Sequence, residues 1–192
     1  MASSCDDGEV IRQVKGVLFL DYVRMVRRHK GVDWHQHLAP EDLPYLSTAI
    51  DPGAWYPMTT FERLGNAILR FVANGDLFPV RLWGRYSADQ LRADQPMLVA
   101  PGDPVETLNR FRVLRSTYFD FDALEVLMLH DGGAEIALAF FMGMPAEEAA
   151  SFQTMGFFER QLELAGAKKI DARFRSRSWV GDERTVLVLR WE

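Results

Sequence analysis

Residues 123–142 read ALEVLMLH, DGG, AEIALAFFM, and no other stretch narrows the folds open to this chain as far. Apolar and polar residues alternate on both sides of the tripeptide, which is the period of a half-buried strand. Asp131, Gly132 and Gly133 between them supply the positive φ angles that a tight turn requires. The segment predicts a β-hairpin. Over 146–165 the spacing becomes helical, through Phe152, Met155, Phe158 and Leu162, and Gly166 ends it. KKIDARFRSRSW (168–179) and RTVLVLRW (184–191) then return to period two on either side of the turn VGDE. The second half therefore predicts ββαββ, an antiparallel sheet packed on one long helix.

The first half has a different period. From Val10 to Lys30, Val14, Val17, Leu18, Leu20, Val23 and Val26 recur at helical intervals, and the basic run Arg27, Arg28, His29, Lys30 complements the helix dipole before Gly31. A short helical stretch follows at 33–38, then a loop with Pro40, Pro44 and Pro52. TTFERLGNAILRFVA (59–73) opens with a threonine cap and carries Phe61, Leu64, Ile68, Leu69 and Val72 on one face. Further helices are expected over 79–92 and 104–115, separated by the Pro-rich turn DQPMLVAPGDP (94–104). The expectation is one α+β domain over 9–192, with a helical subregion 9–116 and a sheet subregion 117–192, behind a flexible tail at 1–8.

Composition removes several functional classes. A chain of 192 residues, 48% of them hydrophobic, can bury one substantial core. A formal net charge of −5 supplies no positive field for nucleic acid or anionic lipid. The single cysteine, Cys5, gives neither a disulfide framework nor a thiolate metal cluster, which fits a reducing cytoplasm. The longest apolar run, GVLFL (16–20), falls far short of the roughly 20 residues that span a bilayer, and no export signal is expected.

Several blocks carry a resemblance. VKGVLFLDYVRMVRRHKGVDWHQHL, with Lys15, Gly16, Phe19, Gly31, Trp34 and Leu38 in step, resembles the start of heme-nitric-oxide-binding (H-NOX) domains. WYPMTTFERLGNAILRF followed by LWGRY (82–86) looks like that fold's next helix and its Gly-Arg turn. GFFERQLELAGAKKI, a strand, a Gly-Asp turn and VLVLRW resemble the ending shared by H-NOX, 4-vinyl-reductase and TRAPP-type domains. The blocks recur in this order in a family of myxobacterial paralogues, for which the resemblance implies a fold and no activity. The likeness spans about residues 14–191.

Each chemical signal has a competing structural explanation. His35, His37 and Glu41 have the ligand spacing of a cupin metal site, but a cupin places its ligands on strands, where alternate side chains point the same way. Two positions apart on a helix, side chains diverge by about 200°, so metal binding is rejected for this trio. His130, at a strand end, is expected to face solvent. Resemblance to H-NOX implies a heme held by one axial histidine after the Gly-Arg turn, yet the matching segment PVETLNRFRVLRSTYF (104–119) has no histidine, cysteine or methionine. The family's Tyr-x-Ser-x-Arg motif is also missing, since Tyr118 is followed by Phe119, Asp120, Phe121 and Asp122. Heme is therefore disfavoured, and no cofactor is expected.

Arg173, Arg175 and Arg177 fall on one face of a strand, where they could bind an anion or an acidic partner; exposed sheet faces are also routinely charged and paired. Trp83, Tyr86, Phe111, Tyr118 and Phe119 are the expected lining of an apolar ligand pocket between helices and sheet. No Gly-x-Ser-x-Gly elbow and no phosphate-cradling loop occurs. The sequence reading is a non-catalytic cytoplasmic regulatory or scaffolding domain that binds a partner protein, with a small apolar ligand in that pocket. A homodimer is expected through 146–162, where Phe152, Phe157 and Phe158 occupy more than one face. The alternative is an enzyme or carrier acting on a hydrophobic or tetrapyrrole-like molecule.

Overall fold

In the computed structural model, which describes residues 11–192, the chain enters as a strand and not as the helix expected from Val10. β1 (Gln13–Lys15) pairs antiparallel with β2 (Trp55–Pro57), and Val14 bridges Phe119 on its other side. Extended pairing buries Val14 completely, which its helical spacing to Val17 did not foretell. The tail expected at 1–8, with Cys5, lies outside the described residues. α1 (Gly16–Arg28) then starts on a glycine because nothing larger fits: a Cβ there would stand 2.0 Å from the Asp51 carbonyl oxygen. The helix stops at Arg28, two residues before the expected Lys30.

A single 3-10 turn at Trp34–Gln36 leads to the short α2 (Pro44–Ser47), which the proline-rich loop had hidden. α3 (Met58–Phe71) follows β2 directly. Its N-cap is Pro57, with no side-chain cap, so the expected threonine cap is corrected: Thr60 is buried one turn in. α4 (Leu77–Asp94) is longer than the expected 79–92, because the Asp76 carboxylate accepts from the Phe78 N–H and starts the helix two residues earlier. Gly84 and Arg85, which resemble a Gly-Arg turn in sequence, lie in the middle of α4. α5 (Pro104–Leu114) is capped by Asp103, which accepts from Glu106 N–H, with Pro104 at the first helical position.

The hairpin forms as β3 (Leu124–His130) and β4 (Gly133–Leu138), joined by Asp131 and Gly132, and only Gly132 has positive φ, at 77°. β4 ends at Leu138 and not Met142, because the Phe140 and Met142 N–H groups leave the ladder to donate to the Glu147 carboxylate. α6 (Ala146–Leu164) is followed by β5 (Asp171–Ser176) and β6 (Thr185–Arg190). The sheet order is β3-β4-β6-β5, all antiparallel. Register places Val126, Ile136, Leu187 and Phe174 in one row across it. Phe174 meets the Phe152 ring of α6 at 5.3 Å, which identifies this row as the helix-facing side. One continuous core joins Phe19, Leu64, Phe158, Leu162, Ile136 and Leu187, and the α+β class expected from the period change is the class observed.

Candidate functional site

α4 and α6 approach each other more closely than side chains allow. A Cβ on Gly84 would meet the Gln153 carbonyl oxygen at 1.8 Å, and one on Gly156 would meet that of Arg81 at 1.9 Å. Ion pairs border the crossing. Arg81 Nε donates to Glu159 at 2.9 Å, Arg85 Nη2 to Glu163 at 2.7 and 2.8 Å, and Arg160 Nε to Asp89 at 2.9 Å. Burial alone would raise Glu163, but hydrogen bonds from Arg85 and Arg160 outweigh it and hold the carboxyl below its ordinary value.

Beside this closed crossing lies a cavity of about 490 Å³, bounded by α1, α4, α5, α6, β3 and the segment from Tyr118 to Phe119. Its apolar wall includes Leu18, Phe111, Phe119, Leu124, Phe140, Phe157 and Phe158. Polar groups enter from three helices: Asp21 and Arg24 from α1, Ser87, Gln90 and Asp94 from α4, Gln153 and Thr154 from α6. The Ser87 hydroxyl is tied to the Trp83 carbonyl at 3.2 Å, so it is not set up as a nucleophile. Tyr22 donates to Gln153 Oε1 at 2.8 Å, and its ring stacks on Phe61 at 4.0 Å.

Two groups on the wall are electrostatically unsettled. Asp21 is raised above the usual carboxylate value, first by burial, with Arg24 opposing and Asp94 adding to the shift. Arg24 stands 3.6 Å from it and is largely exposed. Tyr118 is 7% exposed, and among the described residues its buried hydroxyl meets no hydrogen-bond partner of ordinary geometry. Burial pushes its phenol up to about 12, with the Gln95 side chain pulling the other way.

Of the aromatic residues that the sequence singles out, Tyr86, Phe111, Tyr118 and Phe119 line this cavity. Trp83 does not: it stacks on Tyr22 at 5.5 Å and borders a separate small crevice. Asp21, Asp94, Gln153 and Thr154 escaped the sequence reading. Their signal was a polar residue on an otherwise apolar helical stripe, as with Asp21 after Val17, Leu18 and Leu20.

The remaining candidates lie elsewhere. His35 lies inside the 3-10 turn and His37 directly follows it, both exposed; His37 stacks on Phe71 at 4.1 Å, and Glu41 is 3.3 Å from Arg63. His130 is exposed, with Nδ1 2.8 Å from the Asp131 carbonyl. Arg173 and Arg175 are on the edge strand β5, where Arg175 meets Glu135 at 2.5 Å and Arg173 lies 4.0 Å from Asp171. Arg177 has left the strand, and its backbone N–H donates to Asp182 at 2.6 Å. Phe152 packs on Phe174 and Trp179, Phe157 on Phe111, and Phe158 is 1% exposed. The α6 phenylalanines thus find partners within the chain. The exposed apolar stripe is on α4, at Phe78, Leu82 and Tyr86.

No protein-family model matches the sequence, nor does any curated protein. Solved structures do match in shape. An H-NOX protein from S. oneidensis in the Fe(II)NO ligation state is 11% identical, with TM-score 0.63 over 93% of this chain and 99% of that one. An Fe(II) unliganded H-NOX variant from K. algicida is 12% identical, with TM-score 0.62 over 93% and 96%. A third, solved to probe heme distortion in the H-NOX family, is 12% identical, with TM-score 0.62 over 93% and 95%. Identity this low speaks for architecture, and on architecture the match is nearly complete in length: the chain has the H-NOX fold.

Proposed function

We propose that this chain is a non-catalytic ligand-binding domain of sensor type, which holds a small molecule in the helix–sheet cavity and regulates a partner protein accordingly. The observation that carries the proposal is the cavity. At about 490 Å³ it falls within the range of small-molecule sites, about 300–1,000 Å³. A space of that size has to be filled by water or by a ligand.

Heme is the ligand that the solved neighbours suggest, and the residues present do not fit it. Heme iron is held by His, Cys, Met or Tyr. Among the described residues the cavity wall includes no His, Cys or Met, and α5 presents Phe111. Of its tyrosines, Tyr22 is engaged with Gln153 and further raised by burial, Tyr118 is pushed up to about 12, and Tyr86 is 57% exposed at the rim. Two propionates would meet Asp21 and Asp94 with only Arg24 to offset them. Added hemin is expected to give broad absorption with no sharp Soret band; a sharp band that disappears in Tyr118→Phe would overturn this part of the reading.

The second reading, an enzyme or carrier acting on a hydrophobic molecule, draws on the same cavity size and its convergent polar groups. Among the described residues no nucleophile–base pair lines the wall, which favours binding over turnover. Native mass spectrometry of the purified protein tests both. A non-covalent adduct that is lost in Thr154→Leu, where the added bulk enters the cavity, is expected, and the released molecule should be recovered unchanged on incubation with fresh protein. Conversion of that molecule would transfer the assignment to an enzyme.

A further inference from the structure

The charges around the cavity select among ligands. Asp21 on α1 and Asp94 on α4 both line it, and Asp94 acts on Asp21 across the gap between the two helices. Against two carboxylates stands one guanidinium, Arg24, whose side chain is 59% exposed and 3.6 Å from Asp21. The rim is therefore net negative over an aromatic interior, where Phe111, Tyr118 and Phe157 present ring surface. A cation is attracted both by the carboxylates and by the ring faces.

We propose that the ligand is a protonated amine carried on an aromatic or similarly apolar body, the ammonium group held between Asp21 and Asp94 and the body against Phe111, Tyr118 and Phe157. This rests on the ligand-binding reading above and adds the ligand's charge. A neutral lipid-like molecule would leave the two carboxylates facing each other, and an anionic one would add a third negative group. The ammonium relieves that repulsion, displacing Arg24 towards solvent.

The test uses the full chain and a matched probe set: 2-(1-naphthyl)ethylamine, 2-(1-naphthyl)ethanol and 1-naphthylacetate, titrated by calorimetry at low and moderate salt. The amine should bind at least about tenfold more tightly than the alcohol, a factor of one pK unit of interaction, with the carboxylate weakest and the amine's advantage shrinking as salt rises. Asp21→Asn should bring amine and alcohol to near equality by weakening the amine far more than the alcohol. Asp94→Asn, at an exposed position, should reduce the ratio less. Arg24→Gln should move the other way and tighten the amine about threefold, an opposite sign that loss of folding cannot produce. Equal affinities for amine and alcohol, or a preference for the carboxylate, overturn the charge assignment alone and leave a ligand site standing. Failure of all three probes to bind, with no co-purified adduct in the native mass spectrum, overturns the ligand-binding reading together with it.

Discussion

Two sides of the same helix pair differ as much as any two regions of this molecule. Where α4 crosses α6, glycines at 84 and 156 let backbone touch backbone, and ion pairs from Arg81, Arg85 and Arg160 border the contact. Immediately beside it the same helices stand away from α1 and α5 and leave about 490 Å³. The difference teaches that the cavity is not loose packing. A core that could relax would draw its helices together, since interiors pack to crystal-like density. Here two walls are already fixed by the glycine-lined backbone contact of α4 with α6.

The strongest way to break this comparison is to add one methyl group at the crossing. Gly156→Ala improves intrinsic helix propensity by about 1 kcal/mol. Its Cβ would meet the Arg81 carbonyl oxygen at 1.9 Å, and a backbone atom cannot swing aside as a side-chain tip can. The helices must separate, stretching the Arg81–Glu159 and Arg85–Glu163 pairs with them. The clash wins, and we expect a net loss of about 3 kcal/mol or more, at the upper end of overpacking costs. Urea denaturation measures it, and a loss below about 1 kcal/mol would show that the crossing yields.

Thr154→Leu sharpens the contrast, being also a small-to-large change on α6, two residues away. Thr154 is half-buried and its side chain borders the open space. Added bulk there fills a gap, so stability should stay within about 1 kcal/mol of the parent or rise, while affinity for any cavity ligand falls at least tenfold. A pair of equal losses at 154 and 156 would erase the distinction between the two regions.

Acid should act on the closed side. Glu163 belongs to the crossing, and its carboxyl is held below the ordinary value because Arg85 and Arg160 outweigh the effect of burial. A depressed carboxylate contributes stability that is present above its unfolded value and is lost as pH falls through the folded one. The denaturation midpoint should therefore decline below the ordinary Glu range, near pH 4.3 to 4.5, and Glu163→Gln should flatten part of that decline. Because about a third of the side chain is exposed, the effect is smaller than either substitution above. An unchanged acid slope in Glu163→Gln would remove this carboxylate from the accounting.

How much of this was legible in the sequence follows from how many residues carried each signal. The hairpin, α6 and the last two strands were readable because alternation or helical spacing persisted over six residues or more. β1 and β2, three residues each, were not, since a period cannot be recognised over three positions and their partners lie about 40 residues apart. The glycine of RLWGRY looked like a turn; only the facing carbonyl of Gln153 explains it as a packing residue inside a helix. Four of the five aromatic residues singled out do border the cavity, whereas its polar half was missed. Asp21 and Asp94 sit on different helices, 73 positions apart in the chain, and become neighbours only through tertiary packing.

The smallest effect belongs to a region that is neither closed crossing nor open cavity. His35 lies inside the 3-10 turn at Trp34–Gln36 and His37 directly follows it, and both are exposed. Their spacing is that of a metal site, but Glu41 is already beside Arg63, and His37 lies flat on Phe71 with ring centroids 4.1 Å apart. Removing both imidazoles leaves the main chain hydrogen bonds of the turn in place, among them His37 N–H to the Trp34 carbonyl. Only the stacking on Phe71 is lost, so His35→Ala combined with His37→Ala should change stability by about 0.5 kcal/mol or less. The same variant tests chemistry on the same sample. Protein purified without chelator should hold no stoichiometric zinc, iron or manganese by elemental analysis, in parent or variant alike. Stoichiometric metal that disappears in the double variant, with a stability loss of several kcal/mol, would make this segment a third kind of region, ordered by an ion in place of packing.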